Sequence, residues 1–169
     1  MPAANQPKGS VSAGSIKPVT RKAVRCQREV AWLVTQAAGK LVATTDDVNA
    51  PTPSFVLATA LSYTRKQEQA ARDRGAAIDY KAVMGPDLVS FCAAAGLPAA
   101  PNALSDAGYM FTLSGADLIR DIYAYCGDLG GRMGDVAEVK PGYAIKLALR
   151  MFLLGDASAA NASDSKASA

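Results

Sequence analysis

Basic side chains near the beginning of the chain are the residues whose type and spacing best indicate a chemical role. Arg21, Lys22, Arg25 and Arg28 fall within eight residues. Residues 1–40 carry seven Lys and Arg against one Glu, a net charge of +6, whereas the other 129 residues carry eleven cations and fourteen acids, a net charge of −3. Such a segment on a mildly acidic body is typical of contact with nucleic acid or an anionic surface. The alternative is a solvated segment whose charge keeps the chain in solution.

The composition excludes several classes of protein. Histidine is absent, which removes every mechanism that needs a His base and every His-ligated metal site. Cys26, Cys92 and Cys126 are too scattered for a Cys-x-x-Cys motif and are interpreted as reduced thiols. We therefore expect no enzyme, cofactor or metal. No run of eighteen apolar residues and no secretory signal are present, which predicts no membrane contact and a cytoplasmic location.

Two weaker motifs lie in the second half of the chain. The glycine-rich segment 126–134 lacks the Gly-Lys-Ser/Thr of a phosphate-binding Walker loop and is interpreted as a flexible interhelical loop, from which Arg132 could still reach a phosphate. Asp117 and Asp121 share one helix face and could hold Mg²⁺ through water, but Arg120 screens them and no further ligand completes the set. Arg120 and Arg132 join the four N-terminal cations as predicted nucleic-acid-binding residues.

The predicted fold is all-α: a compact bundle of about six helices at residues 20–155, between a flexible N-terminal arm at 1–19 and a disordered C-terminal tail at 156–169. The arm and the tail lack the apolar surface that a core needs. Residues 109–113 are left open between a helical turn and a short strand. The predicted helices lie at about 21–42, 53–74, 78–84, 86–95, 115–126 and 142–154.

Three details of these helices bear on function. The first helix, with Thr20 as its N-cap, would place Arg21, Arg25 and Arg28 on one face. The charged second half of the 53–74 helix is expected to project into solvent. The last helix, closed by Gly155, is apolar on nearly every side, which is typical of a helix that is central or packed against a partner.

Three stretches in the second half of the chain resemble the coat proteins of flexuous filamentous plant viruses, particularly of the potexvirus type. They are Asp87–Gly96, the helix at 118–126, and 146–155, where Lys146, Ala148, Phe152 and Gly155 match the family's pattern. The resemblance covers roughly residues 83–160. Met151 stands where the family has an Asp, and the glycine-rich segment replaces an Arg-rich stretch of the family.

The resemblance implies a helical core, a groove for single-stranded RNA, and an N-terminal arm that docks on the next subunit. Within the arm, Val11, Ile16 and Val19 are the predicted subunit-interface residues. The leading hypothesis is a non-enzymatic subunit that polymerises into a helical filament around single-stranded RNA, in a virion if the coat interpretation holds. The alternative is a small helical accessory or adaptor subunit of a larger nucleoprotein complex.

Overall fold

The computed structural model describes residues 17–46, 49–101, 104, 108–134 and 138–164, the last nine of these as backbone only. Within them the chain forms six helices and a two-stranded sheet, so the fold is mostly α and the expectation of an all-α protein is wrong in this respect. The elements in chain order are β1 (Arg21–Gln27), α1 (Glu29–Thr44), α2 (Pro53–Asp73), α3 (Tyr80–Met84), α4 (Leu88–Ala94), β2 (Gly108–Ser114), α5 (Ala116–Arg132) and α6 (Pro141–Asp164).

The sheet contradicts the prediction that a helix begins at Arg21. Residues 21–27 form β1, which pairs antiparallel with β2 from Arg21 opposite Ser114 to Gln27 opposite Gly108. Val24 and Cys26 alternate inward from β1, as Phe111 and Leu113 do from β2. The partner strand lies more than 80 residues away, so a local pattern of charges that also suits a helix could not reveal it. The segment left open at 109–113 is a strand.

The final helix is the centre of the molecule, as the sequence predicted. α6 packs against β1, α1, α2, α3 and α5, and Leu147 and Leu149 are fully buried. The predicted end at Gly155 is wrong, because the helix continues to Asp164. A Cβ atom at Gly155 would overlap the hydroxyl of Tyr63 on α2. This glycine therefore allows two helices to approach closely and does not terminate one.

Helix α2 begins where turn chemistry predicted, whereas α1 begins at Glu29 and not at Arg21, and α4 begins at Leu88, after Asp87 as its N-cap, and not at Pro86. Thr52 caps α2 by accepting a hydrogen bond from the Phe55 amide at 3.2 Å, and Pro53 takes the first helical position. Gly75 and Gly96 have positive φ angles after α2 and α4. The expectation that the second half of α2 projects into solvent is wrong, because Glu68 is only 3% exposed.

The glycine-rich segment is helical, which corrects the prediction of a loop. α5 continues from Ala116 to Arg132. Ser114 does not act as a capping side chain, since Gly115 occupies the N-cap position with no side-chain hydrogen bond. The buried face of α5 passes Ile122 and Tyr125 and reaches Leu129, beyond the first glycine. Burial of this face offsets the low helix propensity of the glycines between its members.

Candidate nucleic-acid interface

Strand β1 divides the N-terminal cations between two faces of the sheet. Arg21 and Arg25 lie on the outer face, because the alternate residues Val24 and Cys26 point into the core. Lys22 lies on the other face, with its Nζ 4.2 Å from the centre of the Tyr123 ring. Arg21, Arg25 and Arg28, predicted to share a helix face, are thus presented by a strand and the turn that follows it, and all three are exposed.

A cavity of about 500 Å³ opens where β1 meets the beginning of α6. Among the described residues that line it, Arg25, Lys140 and Lys146 are basic and none carries a carboxylate. The rest of its lining is apolar or aromatic apart from the amide of Gln27, and consists of Cys26, Gln27, Met84, Gly108, Gly142 and Tyr143. We call this space the first cavity.

Two glycines keep the first cavity open and bring its walls together. A Cβ atom at Gly142 would overlap the backbone carbonyl oxygen of Arg25, so glycine allows α6 to begin directly against β1. A Cβ atom at Gly108 would lie 2.9 Å from Nε of Arg25, which shows that this guanidinium passes across β2 at a position without a side chain. The geometry of Arg25 therefore depends on both glycines.

A second cavity of about 360 Å³ adjoins the first and shares Gln27, Met84 and Lys146 with it. It extends past Arg28 to the connection between α3 and α4, and Arg150 also contributes to its wall. We call the two cavities together the β1–α6 groove. Its described lining contains five basic side chains, contributed by β1, the turn after it, and the beginning of α6, against two carboxylates, both in the second cavity.

Glu29 fixes two of these cations. Lys146 Nζ forms an ion pair with Glu29 and donates to Gln27 Oε1 at 2.8 Å. Arg150, with 1% of its side chain exposed, donates to Glu29 Oε2 at 3.2 Å and to the carbonyl oxygens of Val83 and Pro86. Two buried or half-buried cations thus share one carboxylate, which leaves the wall of the groove with an excess of positive charge.

Four of the six predicted cations do not line the groove: Arg21, Lys22, Arg120 and Arg132. Arg120 lies on the exposed face of α5, with Nη1 2.9 Å from Asp117 and Nη2 3.1 Å from Asp121. No group of three or more acids and cysteines that could hold a metal ion occurs in the described part of the chain. Asp117 and Asp121 therefore both pair with Arg120, the residue that the sequence predicted would screen them.

Arg132 belongs to a cluster around the buried carboxylate of Glu68, and 28% of its own side chain is exposed. Its Nη1 donates to Glu68 Oε2 at 2.7 Å, while Tyr80 and Tyr125 donate their hydroxyls to Oε1 of the same carboxylate at 2.8 and 2.7 Å. Burial first, and then the hydrogen bond to Glu68, raise the pKa of Tyr125. We call these four residues the Glu68 cluster. It joins α2, α3 and α5, so Arg132 has a structural role here.

The thiols of Cys26 and Cys126 are not activated as nucleophiles. Burial raises the pKa of Cys26, in the wall of the first cavity, to about 11, and that of Cys126 on α5 to about 11. Both remain protonated at neutral pH, and a protonated thiol is a poor nucleophile.

The predicted arm residues lie mostly outside the described part. Val11 and Ile16 precede residue 17, where the described chain begins, and Val19 is 59% exposed just before β1. No described helix is both long enough and apolar enough to cross a membrane.

Sequence reasoning missed the cations of α6. Lys140, immediately before α6, and Lys146 and Arg150 within it complete the groove, yet the sequence predicted none of the three as a nucleic-acid-binding residue. Two cations four residues apart on a buried helix require an acidic partner or a cavity beside them. That requirement was a signal available in the sequence, although it does not identify Glu29.

Comparison of the chain with protein-family models, with curated proteins and with solved structures finds no match. The functional interpretation accordingly depends on the chemistry of the groove.

Proposed function

We propose that the β1–α6 groove binds the sugar–phosphate backbone of single-stranded RNA, and that the protein is a non-enzymatic subunit that polymerises along it. The observation that supports this proposal best is the first cavity, where three cations from two distant segments meet with no described carboxylate in the wall. Phosphate contacts of this kind supply affinity without reading sequence.

The concave shape of the groove favours a single strand over a duplex. Proteins that read duplexes insert a protruding helix or ribbon into a groove of the nucleic acid, whereas single strands lie in basic channels with aromatic side chains. The β1–α6 groove combines basic side chains with Tyr143 and therefore has the form of a channel for a single strand.

Binding should depend strongly on salt. Three or four phosphate contacts in the groove give a slope of about −2 to −3 in log affinity against log salt concentration. Replacing Arg25 and Lys140 by Gln together should weaken binding and make the slope less negative by about 1.4, because two contacts are lost. Filter binding of a labelled single-stranded RNA over a salt series measures both quantities.

The matched control is the double variant Lys66→Gln with Arg74→Gln. It also removes two positive charges, but from exposed positions on α2 and at its C-terminal end, outside the groove lining. It should bind nearly as the wild type does. A flat salt response, or equal losses in the two double variants, would show that the groove is not the binding site.

Polymerisation should depend on the N-terminal arm. Deleting residues 1–19 removes Val11, Ile16 and Val19 but keeps Thr20, whose carbonyl oxygen accepts a hydrogen bond from Gly115. Each Val or Ile fully buried on a neighbouring subunit would contribute roughly 1.5–3 kcal/mol. We therefore expect the protein without residues 1–19 to unfold at the same midpoint temperature as the wild type. It should form no long particles in negative-stain images.

The same images separate the two functional hypotheses. Long, RNA-containing particles from the intact chain support the polymerising subunit. If the intact chain forms only monomers or small oligomers, the accessory-subunit alternative replaces it. If the deleted protein still forms long filaments, the arm is not the connection between subunits.

A further inference from the structure

The lining of the first cavity contains two chemical kinds of side chain. Arg25, Lys140 and Lys146 form what we call its basic wall, and the half-buried side chains of Met84 and Tyr143 contribute apolar and aromatic surface. A nucleotide has the same division, since its phosphate is anionic and its base is a flat, largely apolar ring. A volume of about 500 Å³ also falls within the usual range of small-ligand cavities.

We propose that the first cavity is a subsite for one nucleotide, and that it therefore also binds free nucleoside 5′-monophosphates. The phosphate lies on the basic wall and the base contacts Tyr143 and Met84. This inference rests on the proposed function, to which it adds a defined ligand, and it predicts a binding event that needs no polymer.

The basic wall is suited to a phosphate because part of its charge is uncompensated. Lys146 shares its charge with Glu29, but Arg25 and Lys140 have no ion pair with any described carboxylate. Both are exposed, so a phosphate can reach them from solvent. The cavity also lies at the first turn of α6, where the helix dipole adds positive potential.

Tyr143 and Met84 are suited to contact a base without selecting which one, because every base has a face on which a tyrosine ring can stack. Gln27 is the one amide side chain in the described lining, and its Oε1 already accepts a hydrogen bond from Lys146, which leaves only its Nε2 group for a base. We therefore expect stacking to contribute more to binding of the base than hydrogen bonding does.

Calorimetric titration of the full chain with small ligands tests the inference. We expect adenosine and uridine 5′-monophosphate to bind with similar affinity. Ribose 5-phosphate should bind at least about fivefold more weakly, because stacking of one base contributes at least about that factor. In NMR spectra of the same titration, the amides of Gly108 and Gly142 should shift, while those of Gly127 and Gly131 on α5 should not.

Two variants test the contact with the base and the contact with the phosphate separately. Tyr143→Leu keeps an apolar side chain but removes the ring, so it should lower affinity for adenosine monophosphate at least about fivefold and leave ribose 5-phosphate unchanged. Lys140→Gln should weaken both ligands. The matched controls are Tyr123→Leu, at a half-exposed tyrosine of α5, and Lys66→Gln on α2; both should bind as the wild type does.

The outcomes distinguish this subsite from the proposed function. If single-stranded RNA binds and Arg25→Gln with Lys140→Gln weakens that binding, but Tyr143→Leu binds monophosphates as the wild type does, the subsite is refuted and the groove remains. Equal affinity for ribose 5-phosphate and adenosine monophosphate also refutes the subsite. If neither RNA nor monophosphates bind, both proposals are wrong. If monophosphates bind as expected and RNA does not, the subsite stands and the proposed function falls.

Discussion

Leu147→Asp is expected to leave no folded protein. Leu147 is fully buried at the middle of α6, the helix against which β1, α1, α2, α3 and α5 all pack. An aspartate there would be an unpaired charge in the core, which costs several kcal/mol or more. Since domains are stable by only about 5–15 kcal/mol, one such substitution is enough to unfold this one. Leu149→Asp should act in the same way.

Circular dichroism and thermal denaturation measure this effect, and Val89→Asp is its control. Val89 lies on α4 and is 66% exposed, so the same introduced charge remains in water there. The control should unfold within a few degrees of the wild type. A cooperative unfolding transition in Leu147→Asp at the wild-type temperature would show that α6 is not the core element.

Glu68→Ala is expected to produce the second largest loss. The substitution leaves the Arg132 guanidinium and the hydroxyls of Tyr80 and Tyr125 without the acceptor they share. Leaving the buried Tyr125 hydroxyl without an acceptor costs about 1–3 kcal/mol. Tyr80 and Arg132 are only partly buried, so water replaces part of what they lose and each adds at most about 1 kcal/mol. For a chain of this size a total of about 2–4 kcal/mol lowers the unfolding midpoint by about 4–16 °C.

Asp121→Ala is the control for the Glu68 cluster. It also removes a carboxylate that pairs with an arginine, but Arg120 and Asp121 are both largely exposed, and exposed pairs contribute about 0–1 kcal/mol. The midpoint of this variant should shift by at most a few degrees. Equal shifts in the two variants would mean that the Glu68 cluster contributes no more than a surface pair.

Elements with local signals were predictable from the sequence. The beginning of α2 follows from Thr52 and Pro53, and the burial of α6 follows from its apolar residues. The same approach failed where a distant segment decides the structure. Arg21–Gln27 is a strand because β2 pairs with it, and Gly155 lies within α6, where the missing side chain leaves room for the hydroxyl of Tyr63.

The candidate site was likewise predictable only where the signal is local. The sequence identified Arg25 and Arg28, because clustered charge is visible along a chain. It did not connect them with Lys146, because that depends on the packing of α6 beside β1. Glu68 was assigned to a solvated helix end, since nothing near it in the sequence indicates that two tyrosines and an arginine converge on its carboxylate.

The pairing of the first strand with the last helix has a consequence for the order of events during synthesis. Gln27 and Lys146, which hydrogen-bond across the groove, lie 119 residues apart. At about 5–20 residues per second, a ribosome needs about 6–24 s to make the intervening chain. Throughout that interval the nascent chain displays Arg21–Arg28 without the α6 side chains that complete the groove. The groove is therefore complete only after Lys146 has been made, and a ligand that needs both segments can bind the chain only from that point on.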